Sequence, residues 1–201
     1  EIGRDSNGLP TFYWDQKIMN VKLGGITYNT MEMTISISAA TGSAVSFVGD
    51  FDMPMGKFYG QFDLSAGGGQ IHQYGDVQVT DWTMANGSFD VSSFKYMMDV
   101  YIPTGSGSCG HFTTSTSGNL KMGSKSYNFS GDIESDCGVL KKLDFWFQYL
   151  KGGVSYTLYL NYDSTSHVLA GGLDWSFERS MSWKFLSHRY KRHPQFGIAL
   201  D

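Results

Sequence analysis

The sequence predicts an all-β protein, and three observations carry that prediction. Apolar residues recur at every second position in several segments, glycine pairs separate those segments, and the composition favours strands over helices. In the segment from Thr30 to Ser38, Met31, Met33, Ile35 and Ile37 alternate with Thr, Glu and Ser. Successive strand residues point to opposite faces, so such a segment has one apolar and one polar side. Leu143, Phe145, Phe147 and Tyr149 repeat the pattern, with Asp144, Trp146 and Gln148 on the other face, and Leu158, Leu160 and Tyr162 share a side in the next run.

Turns are expected at Asn7-Gly8, Gly24-Gly25, Gly67 to Gly69, Asn86-Gly87, Gly152-Gly153 and Gly171-Gly172, because glycine tolerates the positive φ of tight hairpins. Thr104 to Ser108 reads as a loop. Val91, Phe94, Met98 and Tyr101 fit a helical face behind Asp90, but the same residues fit a strand, which is the reading preferred here. No repeat, linker or low-complexity tract divides the chain, so residues 1–201 are expected to form one domain, and many short strands at regular spacing suit a sandwich or a barrel.

Composition narrows function. Hydrophobic residues make up 41% and aromatics 15% of the 201 residues, which excludes a disordered chain. The net charge of −4 offers no general field for nucleic acid, and none is expected as a partner. No apolar stretch reaches the length of a membrane-crossing helix, so no membrane span is expected. Cys109 and Cys137 lie among small polar residues, which suits a disulfide and a secreted, extracellular protein. Asn86-Gly-Ser88 and Asn128-Phe-Ser130 match the glycosylation triplet. There is no nucleophile elbow, zinc spacing or phosphate loop, and no cofactor is expected. Asp132, Glu134 and Asp136 alternate along one strand face and, like Asp50 and Asp52, offer oxygen ligands to Ca²⁺, without a complete calcium-loop signature.

The candidate chemistry centres on Gln70-Ile71-His72. On a strand the amide and imidazole share a face. That pairing suits β-elimination on a uronate, where an amide neutralises the sugar carboxylate and a neutral His removes the adjacent proton. The C-terminal segment is basic and aromatic, with Arg189, Tyr190, Lys191 and Arg192 at its centre, as an anionic polysaccharide would require.

Gln70-Ile71-His72, the strand Met55 to Leu64 before it and the closing run Gln195 to Leu200 resemble the alginate-lyase-type polysaccharide lyases. The resemblance implies a concanavalin-like β-sandwich of jelly-roll topology and cleavage of a uronate polymer such as alginate. Carried over, Gln70 neutralises the carboxylate and His72 acts as base. Thr30 and Thr34 stand where that family has arginines, and Ala199 where it has its closing tyrosine. The missing cation then falls to Arg189, Lys191 or Arg192, and the acid to Tyr190. Trp146 and Tyr149 are the aromatic candidates for sugar stacking. Two alternatives stand beside the lyase: a glycan-binding or adhesive domain, and a structural subunit of an extracellular assembly.

Overall fold

The computed structural model describes the backbone of residues 1–84, 88–105, 108–151, 153–179, 188–192 and 195–199, and the side chains of these up to 174 and at 176. Every regular element among them is a strand. In order they are β1 (Ile2–Arg4), β2 (Pro10–Leu23), β3 (Ile26–Ser38), β4 (Gly42–Met53), β5 (Gly56–Gly67), β6 (Gln70–Thr83) and β7 (Phe89–Pro103). There follow β8 (His111–Met122), β9 (Lys125–Asp136), β10 (Val139–Lys151), β11 (Val154–Asp163), β12 (Val168–Arg179), β13 (His188–Arg192) and β14 (Gln195–Ala199). The segment around Phe94 and Met98 is strand β7, in keeping with the preferred reading.

Each strand pairs antiparallel with the one before and the one after it, in the unbroken order β1 to β13. β13 and β14 lie end to end along one edge of β12, pairing with Trp175–Arg179 and Val168–Gly172 respectively. This is a meander of adjacent hairpins. It lacks the crossed strand order of the expected jelly roll, in which sequence-distant strands become neighbours.

The described residues also do not show the core expected of a sandwich. Among the described residues no apolar side chain is buried. The accessible surface is 13424 Å², against about 9,400 Å² for an average globular protein of this mass. Alternation predicts a two-faced strand and is silent on what covers the apolar face. That is how a meander open on both sides came to resemble a sandwich in the sequence.

The hairpins follow the glycine signals closely. Gly24-Gly25, Gly68-Gly69 and Cys137-Gly138 each have positive φ at both residues, the geometry whose twist matches that of the flanking strands. The exception is Gly171-Gly172, which the sequence marks as a turn. Both lie inside β12, where Gly171 pairs with Leu160 and Phe196, and Gly172 with Tyr159 and Gln195. Bulges interrupt the register of β3 against β4 between Tyr28 and Thr30, and of β7 against β8 between Val91 and Ser93.

Candidate functional site

Cross-strand registers sort the side chains onto two continuous faces, because partners directly opposite in a ladder project to the same side. One ladder runs Ile35–Val45–Leu64–Gln73–Val100–Phe112, and its neighbour Met33–Phe47–Phe62–Gly75–Met98–Thr114. Further along, Ile133–Leu143–Tyr162 and Phe129–Phe147–Leu158 continue the same side. This face is apolar from β2 to β12. Its uncharged polar interruptions include Gln16, Gln73, Thr114 and Thr116, and the two threonines donate their hydroxyls to the backbone carbonyls of Met97 (2.9 Å) and Lys95 (3.3 Å). Among the residues whose side chains are described, the charged ones that the register puts on this face, Arg4, Lys125 and Lys151, stand at strand ends.

The apolar face is layered by depth. At the rim formed by the turns near residues 24, 54, 123 and 153, aromatic side chains sit side by side. Tyr28 packs edge-on against Phe51 at 5.3 Å, Phe51 stacks on Phe58 at 5.8 Å, and Tyr149 lies between Tyr127 (5.2 Å) and Tyr156 (6.0 Å). Val79, Trp82, Phe89, Val91, Phe94 and Leu120 line an apolar depression at the same rim. Lys22, Lys57, Lys121, Lys125 and Lys151 also stand at this end of their strands. The middle of the face carries aliphatic residues such as Met33, Leu158 and Leu173, with exposures of 37%, 42% and 42%.

The opposite face is polar, and its groups are bonded to one another both along strands and across them. Tyr59 donates to Gln61 (2.9 Å), Gln61 to Asp63 (2.6 Å), and Ser46 also to Asp63. Gln78 donates to Asp76 at 3.1 Å, and Lys95 reaches the same carboxylate at 3.5 Å. Asn119 donates to Asn128, Asn128 to Gln148 (3.0 Å) and Gln148 to Ser155 (3.2 Å), while Asn161 donates to Asp144 (2.7 Å). Asp76, at 7% exposure, is the one buried polar or charged side chain among the described residues. It belongs to the polar face. That fits a sheet curled with the polar side inward, since curling crowds the concave face.

His72 lies on this polar face, where its Nε2 meets Asp99 Oδ1 at 2.6 Å and its ring stacks on Tyr101 at 4.2 Å. Tyr101 in turn approaches the ring of His111, whose Nδ1 is 2.5 Å from Asp136 Oδ1. Gln70 is the exposed first residue of β6 and shares the face with His72. Trp146 is half-buried on the same face, between Ser130 and Tyr159 in the ladder. Tyr149 is on the apolar face and at the opposite rim, so the fold does not bring it to Gln70 and His72. Arg189, Tyr190, Lys191 and Arg192 form β13, against the aromatic-rim end of β12, and their side chains lie outside the described residues. So do those of Trp175 and the segment around Trp183. Asn86-Gly87 falls outside the described residues altogether.

Cys109 and Cys137 form a disulfide with Cα atoms 4.6 Å apart, weakly consistent with an oxidising compartment. His111, Glu134 and Asp136 present ligand atoms within 4.8 Å of one another and could hold a divalent cation, which includes two of the three carboxylates proposed for Ca²⁺. Asn128 sits within β9 with its amide bonded on both sides, which leaves no surface loop for a glycan at that triplet. No family model, curated protein or solved structure matches this chain.

Reading residues singly missed the face-wide arrangement. The signal was present: nearly every strand, not only the three clearest, carries alternation whose polar phase holds the charges.

Proposed function

We propose that the chain is a membrane-embedded β-barrel, with its apolar face against lipid and its polar face lining an aqueous lumen. One observation carries the reading: a single-layered meander presents a continuous apolar face from β2 to β12 with no second layer over it among the described residues. In water such a face is unfavourable by roughly 25 cal/mol for each Å² left uncovered. Lipid covers it without a second layer of protein.

Dimensions agree. Strands β2 to β12 run from 10 to 15 residues, and a strand needs about 9–11 residues to cross a bilayer when tilted. The apolar residues of β3 extend from Ile26 to Ile37, a rise of about 37 Å along the strand and about 28 Å once tilted by about 40°. The outward apolar band of known barrels is about 25 Å tall. Aromatics at a rim match the interfacial girdle, where amphipathic rings sit at headgroup depth, and the nearby lysines suit anionic headgroups. That no described helix is long and apolar enough to cross a membrane bears on helices alone. The meander supplies every strand but the closing contact. Among the described residues β2 keeps one edge unpaired beyond Tyr13, and closure would join that edge to β13 and β14.

The test is the solvent in which the chain folds. The purified, denatured protein should acquire strand structure and resistance to protease on dilution into detergent micelles or lipid vesicles. Trp14 and Trp82, on the apolar face, should then be quenched by brominated acyl chains. A soluble monomer that folds in detergent-free buffer would overturn the proposal.

The uronate lyase remains a second reading, favoured by Gln70, His72 and Tyr101 on one face. A rise in absorbance at the wavelength of the unsaturated product, lost in His72→Ala, would support it over the barrel.

A further inference from the structure

We infer that the polar face makes the lumen cation-selective, an inference that rests on the barrel reading above. The ladders assign the charges. One row runs Gln61–Asp76–Met97–Ser115–Asp132–Asp144–Asn161 across β5 to β11, and the next runs Asp63–Tyr74–Asp99–Thr113–Glu134–Lys142–Asp163. Asp63, Asp99, Asp132, Glu134 and Asp144 thus fall within two adjacent rows, the first near mid-height and the second on the side away from the aromatic rim.

Their described partners leave most of that charge standing. Asp63 accepts from Ser46 and Gln61, and Asp144 from Asn161, all neutral donors, while Asp99 meets the His72 ring at 2.6 Å. The nearby lysines are already matched, Lys17 with Glu32 and Lys95 with Asp76 as ion pairs, and Lys142 set between Glu134 and Asp163 in the ladder. Toward the aromatic rim the charges balance, since Lys57 faces Asp52 and Lys121 faces Asp90 across the ladder. The excess of negative charge therefore lies from the middle of the strands toward the rim opposite the aromatics, with Asp63, Asp132 and Asp144 at its centre.

Closing twelve strands at about 4.8 Å spacing and about 40° tilt gives a backbone radius of about 12 Å. Side chains then project to within about one Debye length, about 8 Å at physiological salt, of any permeating ion. Low-dielectric walls focus that field along the axis, as acidic rings do in cation channels. Permeant solutes should be small cations, with anions excluded.

The experiment is reconstitution of the full chain in a planar bilayer of neutral lipid under a KCl gradient. The expected result is stepwise conductance with a reversal potential on the side set by K⁺. Raising the salt on both sides at a fixed ratio should shrink that potential as screening shortens the field. Asp132→Asn combined with Glu134→Gln should move it toward zero while insertion persists. A reversal potential at zero or of the Cl⁻ sign, or a chain that inserts and stays closed to both ions, would overturn the selectivity and leave the barrel intact. A chain that neither inserts nor conducts would overturn the barrel itself.

Discussion

Leu158 distinguishes a lipid-facing surface from an ordinary exposed one. It stands in the middle of β11, four residues from Val154 and five from Asp163, with Phe147 and Leu173 beside it in the ladder. Its side chain is 42% exposed. In a soluble protein, Leu158→Arg at such a site is nearly neutral, within about 0.5 kcal/mol, and improves solubility. At the midplane of a bilayer the same change costs about 2–4 kcal/mol. The folding equilibrium in vesicles should fall by a factor of about 30 to 900. Thr157→Arg, one residue away on the polar face, carries the same charge into the lumen and should leave that equilibrium nearly unchanged. The assay is urea titration of vesicle-inserted protein, followed by tryptophan emission and by gel mobility of unheated samples. Equal midpoints for the two variants, or a more stable Leu158→Arg protein, would refute the assignment of the apolar face to lipid.

Two further outcomes concern the frame of the sheet. Opening Cys109–Cys137, whose residues are 28 apart in sequence, by paired replacement with serine should destabilise the folded state by up to about 3.5 kcal/mol on a loop-entropy argument. The same urea midpoint measures it, and an unchanged midpoint would place the stability elsewhere. Gly42→Ala should destabilise by more than about 1 kcal/mol, because φ is +97° and an added Cβ would lie 1.9 Å from the backbone oxygen of Ala66. Gly68→Ala has open space around it and tests the contribution of positive φ alone; it should be the milder of the two.

Much of the fold was legible locally. The alternation in Thr30 to Ser38 and Leu143 to Tyr149 gave β3 and β10, glycine pairs gave the hairpins, and the disulfide joins the two cysteines the sequence paired. What was not legible depends on long range. Gly171-Gly172 reads as a turn in isolation, yet both residues stay extended because β11 and β14 pair with them on either side. The tripeptide Gln70-Ile71-His72 suggested a site, and the strand does put both polar side chains on one face. His72, however, is engaged with Asp99 and Tyr101, groups that no spacing rule connects to it because they lie on the neighbouring strand. Trp146 and Tyr149 are three residues apart and so fall on opposite faces, a consequence of period two that was available in the sequence.

The deeper reason the sandwich was favoured is that alternation is symmetric between two architectures. In a sandwich the apolar face turns inward and the polar face meets water. In a membrane barrel the apolar face turns outward and the polar face meets water inside. The strand pattern is the same in both, so periodicity cannot choose. What can choose is the content of the polar face. A sandwich leaves that face free for flexible, independently solvated side chains, whereas a curled sheet crowds them together. Here the polar face carries chains of amide, hydroxyl and carboxylate, one crossing four strands from Asn119 through Asn128 and Gln148 to Ser155, and another running along β5 from Tyr59 through Gln61 to Asp63 with Ser46 of β4 joining at its end. Its Asp76 is the described charged group withdrawn from solvent, while Tyr156, Leu158 and Leu173 on the other face remain 42% exposed. The described charged group withdrawn from solvent is thus on the polar side, the reverse of a sandwich, and it is this inversion that points the apolar face toward lipid.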